Sequence, residues 1–203
     1  MTKPIGIILA GGQATRMGGG DKGLLDLGGQ SLMDHVIGRL TPQVAGIALN
    51  ANGDPTRFAD LGLPVIGDSI DGFVGPLAGV LAGLDWAASQ GADEIVTVAA
   101  DTPFFPHDLV ETLQAAGPGI ALAATPHPER GLNRHPTFGK WPVSLRDDLR
   151  EALKGGLRKV VLWTDKHGAA TVQFDATPFD PFFNVNTPGD LVTARAILAK
   201  DMA

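Results

Sequence analysis

The chain has 203 residues, a hydrophobic content of 44% and a formal net charge of −6. This size suits one domain with a full core, and the acidic balance disfavours nucleic acid or an anionic membrane surface as partner. The sequence contains no cysteine, which excludes disulfides, thiolate zinc sites and cysteine nucleophiles. The apolar run near its start is too short for a signal peptide or a membrane span, so we expect a cytoplasmic protein.

Short apolar runs predict the strands of a buried sheet. They are continuous rather than alternating, as is typical of parallel strands covered on both faces. In the first part of the chain they are IGIILA (5–10), GIALN (46–50), EIVTVA (94–99) and IALAA (120–124). Further along, TVQF (171–174) and FFNVN (182–186) also predict strands.

Amphipathic stretches between the first strands predict helices. One begins after a capping Ser31, and two more cover 75–91 and 107–117, each ending at a glycine. Strands alternating with helices indicate an α/β protein with a three-layer, Rossmann-like fold and a mostly parallel central sheet. In such a fold, ligands bind at the carboxyl ends of the strands.

The second half of the chain is less regular. Ser144 is the expected N-cap of a helix that ends at the glycines 155 and 156. The segment RKVVLW (158–163) fits a strand by propensity and a helix by spacing, and we favour the helix. Thr187 is the expected N-cap of a last helix, with Pro188 in its first position.

A polar side chain stands at the exit of each of three predicted strands. These residues are Asn50 at the end of GIALN, Asp68 at the end of a further predicted strand, LPVIGD (63–68), and Asp101 just after EIVTVA. Taken singly, each fits a turn or a cap, because Asn and Asp side chains often bond to nearby backbone. Taken together, they converge on the edge of the sheet where ligands bind, and we therefore favour a functional role.

The stretch LAGGQATRMGGGDK (9–22) follows the first strand and joins five glycines to Arg16 and Lys22. Glycines at this density indicate a close approach of the backbone to a ligand. The stretch is not a Walker P-loop, because Lys22 is followed by glycine, and it lacks the spacing of a dinucleotide fingerprint. Exposed amides with two cations suit a triphosphate.

The sequence resembles the family of nucleotidyltransferases related to molybdenum cofactor guanylyltransferase. The likeness rests on LAGGQATRMGGGDKGLL, NAN, GPLAG, ADTPF, HPTF and NVNTP, which extend over nearly the whole chain. Similar cytidylyltransferases of the same cofactor usually have LAAG, where this chain has Gly12. The resemblance therefore implies a nucleotidyltransferase fold and a guanine nucleotide.

The resemblance also implies roles for individual residues. Those expected to bind the guanine nucleotide are Leu9, Ala10, Gly11, Gly12, Lys22, Asn50, Asp68 and Asp101. Lys22, Arg16 and Asp101 would serve catalysis, with Asp101 as a ligand of Mg²⁺. Residues expected to face the pterin substrate are His135, Asn184 and Asn186; without the resemblance, the residues alone favour structural roles for all three. We expect one domain over 1–203, with 1–105 mainly binding nucleotide and 106–203 mainly binding pterin.

The implied reaction transfers GMP from GTP to the terminal phosphate of molybdenum-bound molybdopterin and releases pyrophosphate. The attacking phosphate has a second pKa of roughly 6, so it is already a dianion near neutral pH and needs no strong base. A metal ion, cationic side chains and backbone amides can align the two polyanionic substrates and neutralise their negative charge. Molybdoenzyme apo-proteins or their chaperones are the implied protein partners.

Four other functions are consistent with parts of the sequence. A cytidylyltransferase of the same cofactor, or another sugar-phosphate or cofactor nucleotidyltransferase, would share the opening motif. A nucleotide-binding oxidoreductase is disfavoured, because no acidic residue ends the second strand to hold a ribose diol. A non-catalytic carrier of the pterin cofactor would bind the same ligands and release no pyrophosphate.

Overall fold

A computed structural model describes residues 3–11, 21–70, 72, 75–129 and 131–201 of the chain. Within these residues, seven strands form one sheet in the order β5-β4-β1-β6-β8-β7-β9, and β2 and β3 form a separate hairpin. The strands are β1 Ile5–Leu9, β2 Asp26–Leu27, β3 Gln30–Ser31, β4 Gly46–Asn50, β5 Val65–Ile66, β6 Glu94–Ala99, β7 Ala121–His127, β8 Gly131–Pro142 and β9 Ala170–Gln173. Strand β8 is antiparallel to both of its neighbours, whereas the other pairs of the large sheet are parallel.

Helices cover both faces of this sheet. They are α1 Leu32–Leu40, α2 Pro76–Ser89, α3 Leu109–Ala115, α4 Arg146–Lys154, α5 Val160–Lys166 and α6 Pro188–Asp201. In β1, Ile8 packs into the core beneath α1 and α3, and its neighbour Ile7 packs into the core beneath α2, α4 and α5. Successive side chains of a strand point to opposite faces, so one continuous apolar strand supplies both cores. The arrangement is a three-layer α/β fold with a mostly parallel sheet, as predicted.

Helix α2 lies unusually close to the sheet. A Cβ on Gly83 would lie 2.7 Å from Ile7 Cγ1, and one on Gly79 would lie 2.8 Å from Leu9 Cδ2. Two glycines four residues apart lie on the same face of a helix, which lets the backbone of α2 rest directly on β1.

Most elements predicted from the sequence are confirmed. Strands β1, β4 and β6 lie where their apolar runs are, and residues 160–163 of the segment 158–163 are helical, as the first turn of α5. Ser31 caps α1 through a capping box with Asp34. Thr187 Oγ1 accepts a hydrogen bond from Asp190 N at 3.2 Å, which confirms it as the cap of α6.

Two predictions of local structure are wrong, and one strand was not predicted. Ser144 does not cap α4, because a short 3-10 turn over Val143–Leu145 precedes the helix and Leu145 occupies the cap position. The segment FFNVN (182–186) is not a strand, since its backbone donors bond to side chains and to a loop carbonyl. Strand β8 was not predicted, because its two glycines and Pro136 interrupt any apolar run.

Candidate active site

The carboxyl ends of three parallel strands form a shared edge. Leu9, the last residue of β1, pairs with Asn50 of β4 on one side and with Ala99 of β6 on the other. The pairing continues one residue further, since Ala10 N donates to Asn50 O at 2.9 Å and Ala100 N donates to Leu9 O at 3.1 Å. Side chains that follow these strands are therefore brought to the end of β1, where the glycine-rich segment begins.

On the β6 side of this edge, Lys22 joins two elements that are distant in sequence. Its Nζ donates to Asn186 Oδ1 at 2.5 Å and lies 3.5 Å from Asp101 Oδ2. The Lys22 and Asp101 side chains are 16% and 19% exposed, so the ion pair is partly shielded from water. Lys22, Asp101 and Asn186 are called the Lys22 cluster below.

The Asp101 carboxyl is in an environment that disfavours its charge. Burial raises its pKa above the ordinary value, and the nearby Lys22 ammonium offsets part of that rise. A cation beside this carboxylate is therefore stabilising. Among the described residues, no group of three or more His, Cys, Asp or Glu side chains is placed to hold a metal ion. One carboxylate nevertheless fits a magnesium ion, which commonly combines one or two carboxylates with substrate phosphates and water.

Asn186 is held in place by its own backbone and by the start of α6. Val185 N donates to Asp101 O at 2.9 Å, which ties this segment to the exit of β6. Asn186 N and Thr187 N both donate to Asp190 Oδ2, at 2.9 and 2.8 Å. These backbone donors lower the pKa of Asp190. The sequence analysis missed this role of Asp190, although the spacing of Thr187 and Asp190 is that of a capping box.

On the β4 side of the edge, three side chains form a second group, called the amide–carboxylate cluster below. Asn50, which is 4% exposed, donates from Nδ2 to Asp68 Oδ1 at 3.0 Å and to Ile66 O at 3.3 Å. Asn52 donates from Nδ2 to Asp68 Oδ2 at 2.7 Å, and its Oδ1 accepts from Asp68 N at 2.8 Å. The structure thus brings together Asn50 and Asp68, as predicted, and adds Asn52.

Helix α2 limits the space beside this cluster. A Cβ on Gly79 would overlap Asn50 Oδ1 and would lie 3.0 Å from Asn50 Cγ. The last glycine of the GPLAG motif therefore allows the buried amide of Asn50 to sit against the helix.

An ion pair missed by sequence reasoning links the two sides. Arg57 Nε lies 3.0 Å from Asp21 Oδ2, and Arg57 Nη2 donates to Asn52 O at 2.6 Å. Asp21 immediately precedes Lys22, so this contact ties the end of the glycine-rich segment to the loop after β4. No local pattern in the sequence pairs residues this far apart.

The structure gives His135 a packed position on β8. Its ring stacks on Phe182 with centroids 4.5 Å apart, and its Nε2 is 2.9 Å from Thr125 Oγ1. Burial lowers the pKa of His135, with partial opposition from Asp180. Phe182 and Asn186 lie on the same short segment, and Asn184 between them is exposed. Contact of His135, Asn184 and Asn186 with a pterin stays a prediction.

The remaining predicted residues lie at or beyond the end of β1. Leu9 and Ala10 are half-buried and line a small cleft with Lys22, Phe58 and Asp101. Gly11 is exposed. Gly12 and Arg16 lie outside the described residues.

The sequence matches the family of the MobA-like NTP transferase domain over residues 6–169. The chain belongs to this nucleotidyltransferase family. A molybdenum cofactor guanylyltransferase of Bradyrhizobium sp. (strain ORS 278) is 50% identical, with 97% of this chain and 93% of that relative covered. One of Mesorhizobium japonicum is 48% identical, with 95% of each chain covered. The resemblance identified from the motifs is confirmed.

Solved structures of this fold agree with the family. Molybdopterin-guanine dinucleotide biosynthesis protein A from Archaeoglobus fulgidus superposes with a TM-score of 0.71 at 25% identity, covering 97% of this chain and 99% of its own. A CMP:2-keto-3-deoxy-manno-octonic acid synthetase complexed with CTP gives a TM-score of 0.74 at 16% identity, covering 98% and 100%. The second likeness concerns the fold alone. None of the helices in the described part of the chain is long and apolar enough to cross a membrane.

Proposed function

We propose that this chain transfers GMP from GTP to the terminal phosphate of molybdenum-bound molybdopterin, forming the guanine dinucleotide cofactor and pyrophosphate. The observation that supports this most strongly is the Lys22 cluster. It lies at the carboxyl ends of the parallel strands, and Lys22 is the last residue of the glycine-rich segment in the sequence. A cation, a carboxylate and an amide at that point are the parts that nucleotidyl transfer between two polyanions requires. Relatives that match nearly the whole chain have the same activity in their names.

In this proposal the two clusters at the sheet edge bind different parts of the nucleotide. We assign the triphosphate to Lys22 and to Gly11, Gly12 and Arg16 of the glycine-rich segment. The guanosine is assigned to the amide–carboxylate cluster, beside Leu9 and Ala10. In this proposal 1–105 mainly binds nucleotide, and 106–203 mainly binds the pterin through His135, Asn184 and Asn186.

Members of this family normally use a divalent metal, and we propose that Asp101 would hold Mg²⁺ here. When bound, the ion would neutralise negative charge on the phosphates. The remaining work belongs to the chain's own groups. Lys22 would exchange its Asp101 contact for a phosphate oxygen, so the ammonium would be present beside the leaving pyrophosphate. Asn186 would keep Lys22 directed at that position, since its amide oxygen accepts from Nζ.

The acceptor requires little activation. A phosphate monoester with a second pKa of roughly 6 is largely dianionic near neutral pH, so the site needs no general base. Its tasks are alignment and charge neutralisation, which the described side chains can perform. We place the reaction in the cytoplasm, where GTP is available. Transfer of the product to molybdoenzyme apo-proteins or their chaperones stays a prediction.

Pyrophosphate release with a panel of nucleotides tests the proposal. The enzyme is mixed with molybdenum-loaded molybdopterin, Mg²⁺ and GTP, CTP, ATP or UTP, and pyrophosphate is measured over time. We expect release with GTP that depends on the pterin. Preference for CTP would assign the chain to the cytidylyltransferases, and binding without release would assign it to the carriers.

A further inference from the structure

In the amide–carboxylate cluster, both polar atoms of the Asn52 side chain form hydrogen bonds with the same residue, Asp68. Asn52 is exposed, yet its Nδ2 donates to the Asp68 carboxylate and its Oδ1 accepts from the Asp68 backbone. Ordering an exposed side chain costs entropy, and two bonds to the same residue offset that cost. The geometry fixes both the backbone and the carboxylate of Asp68.

Asp68 in turn fixes the orientation of Asn50. Both partners of Asn50 Nδ2, the Asp68 carboxylate and the Ile66 carbonyl, can only accept hydrogen bonds. The amide nitrogen must therefore face them, and Asn50 Oδ1 is turned toward α2 at Gly79. Asn52 acts on this orientation through Asp68, since it holds the carboxylate that receives the Asn50 amide.

The hydrogen-bonding character of the cluster follows from these contacts. Both side-chain N–H groups of Asn50 and one of Asn52 donate within the cluster, while the Asp68 carboxylate oxygens that receive them keep further lone pairs. A ligand that reaches the Asp68 carboxylate therefore meets hydrogen-bond acceptors. Guanine presents two adjacent donors, N1–H and the N2 amino group, whereas cytosine presents one amino group beside two acceptors. A surface of acceptors favours the first edge over the second.

We propose that Asn52 is a positioning residue for base choice: it locks Asp68, and through Asp68 the Asn50 amide, so that the cluster accepts from the donor edge of guanine. This rests on the proposed function, because it assumes that the nucleoside lies at this cluster. Asn52 itself need not touch the base. A purely structural role would affect all nucleotides equally, which makes the two roles separable.

The test compares nucleotide affinities of the full chain and two variants. Asn52→Ala removes both bonds to Asp68. Asp54→Ala is the matched control, because Asp54 lies in the same loop and its carboxylate bonds to Thr56 rather than to Asp68. Binding of GTP, of inosine triphosphate, which lacks the N2 amino group, and of 2′-deoxy-GTP is measured by calorimetry with thermal unfolding in parallel.

We expect Asn52→Ala to weaken GTP binding about ten-fold while changing inosine triphosphate binding much less, so that the preference for GTP falls. The loss of GTP affinity should exceed the loss of kcat, since the Lys22 cluster is not altered by this substitution. Asp54→Ala should keep the wild-type preference.

Other results overturn the proposal. Equal weakening of GTP and inosine triphosphate would make Asn52 structural. Loss of discrimination against 2′-deoxy-GTP alone would place the ribose at the cluster instead of the base. If the wild type binds GTP and prefers it over CTP, either result contradicts the role of Asn52 and leaves the proposed function intact. A wild type that binds no GTP contradicts both.

Discussion

Replacing Gly79 with alanine should disturb nucleotide binding much more than stability. The added Cβ would lie 2.8 Å from Leu9 Cδ2 and 3.0 Å from Asn50 Cγ, and would overlap Asn50 Oδ1. Because the Asn50 side chain is buried against the sheet, either its amide or helix α2 must move by roughly 1 Å. A shift of the amide would break the bond from Asn50 to Asp68, which is 3.0 Å long in the unperturbed chain, and a shift of α2 would change the space beside the cluster.

The expected magnitudes follow from two opposing terms. Overpacking typically costs about 1–3 kcal/mol, and replacing a helical glycine by alanine recovers about 1 kcal/mol. The free energy of unfolding should therefore fall by about 0–2 kcal/mol, equivalent to at most about 8 °C in Tm for a chain of this size. Losing an ordered hydrogen-bonding group at the nucleoside should weaken GTP binding at least about ten-fold.

Gly83→Ala is the control for this prediction. A Cβ at Gly83 would meet Ile7 Cγ1 at 2.7 Å and Ile95 Cδ1 at 3.1 Å, so it crowds the same helix against the same strand but only at core side chains. Calorimetric GTP titrations and thermal unfolding of both variants make the comparison. Wild-type GTP affinity in Gly79→Ala, or equal loss of affinity in both variants, would refute the reasoning.

Three further substitutions probe other parts of the site. Lys22→Met should weaken GTP binding about ten-fold to a hundred-fold in calorimetry, because it removes a charge-assisted contact worth about 1.5–3 kcal/mol; unchanged affinity would place this ammonium away from the phosphates. Asp101→Asn should abolish pyrophosphate release at saturating Mg²⁺ yet bind GTP in EDTA at least as tightly as the wild type, and substantial turnover would argue against a metal at Asp101. Burial lowers the pKa of His135 in the folded chain, so the unfolded chain binds a proton more readily and stability should fall as the pH drops below about 6.5. His135→Gln should reduce that slope, as measured by Tm at about pH 7.5 and about pH 5.5, and an unchanged slope would place its origin elsewhere.

Much of the fold could be predicted because it is encoded locally. The runs that became β1, β4 and β6 are apolar on both faces, which distinguishes buried parallel strands from surface ones. Because the carboxyl ends of parallel strands share one edge of the sheet, the positions of Asn50, Asp68 and Asp101 at strand ends predict that all three lie at that edge. This prediction requires no information on side-chain contacts. Strand β8 could not be found this way, because its pairing with β6 and β7 outweighs the unfavourable local propensity of its proline and glycines.

The contacts between segments that are far apart in the chain could not be predicted from the sequence. Lys22 and Asn186 are 164 positions apart, and no periodicity relates them. The segment at 182–186 has the composition of a strand, yet its backbone N–H groups donate hydrogen bonds to Asp101, Asp180 and Asp190. Asn52 was part of a motif, but its role depends on which atoms of Asp68 it contacts, and sequence spacing does not specify such geometry.

Transfer of radiolabel from GTP tests the central claim most directly. The enzyme is incubated with Mg²⁺, molybdenum-loaded molybdopterin and GTP labelled at either the α- or the γ-phosphate, and the products are separated by chromatography. The account predicts that α-label enters the pterin dinucleotide and γ-label leaves in pyrophosphate. Label from the γ-phosphate on the pterin, or no labelled pterin with GTP while CTP supports the reaction, would contradict it.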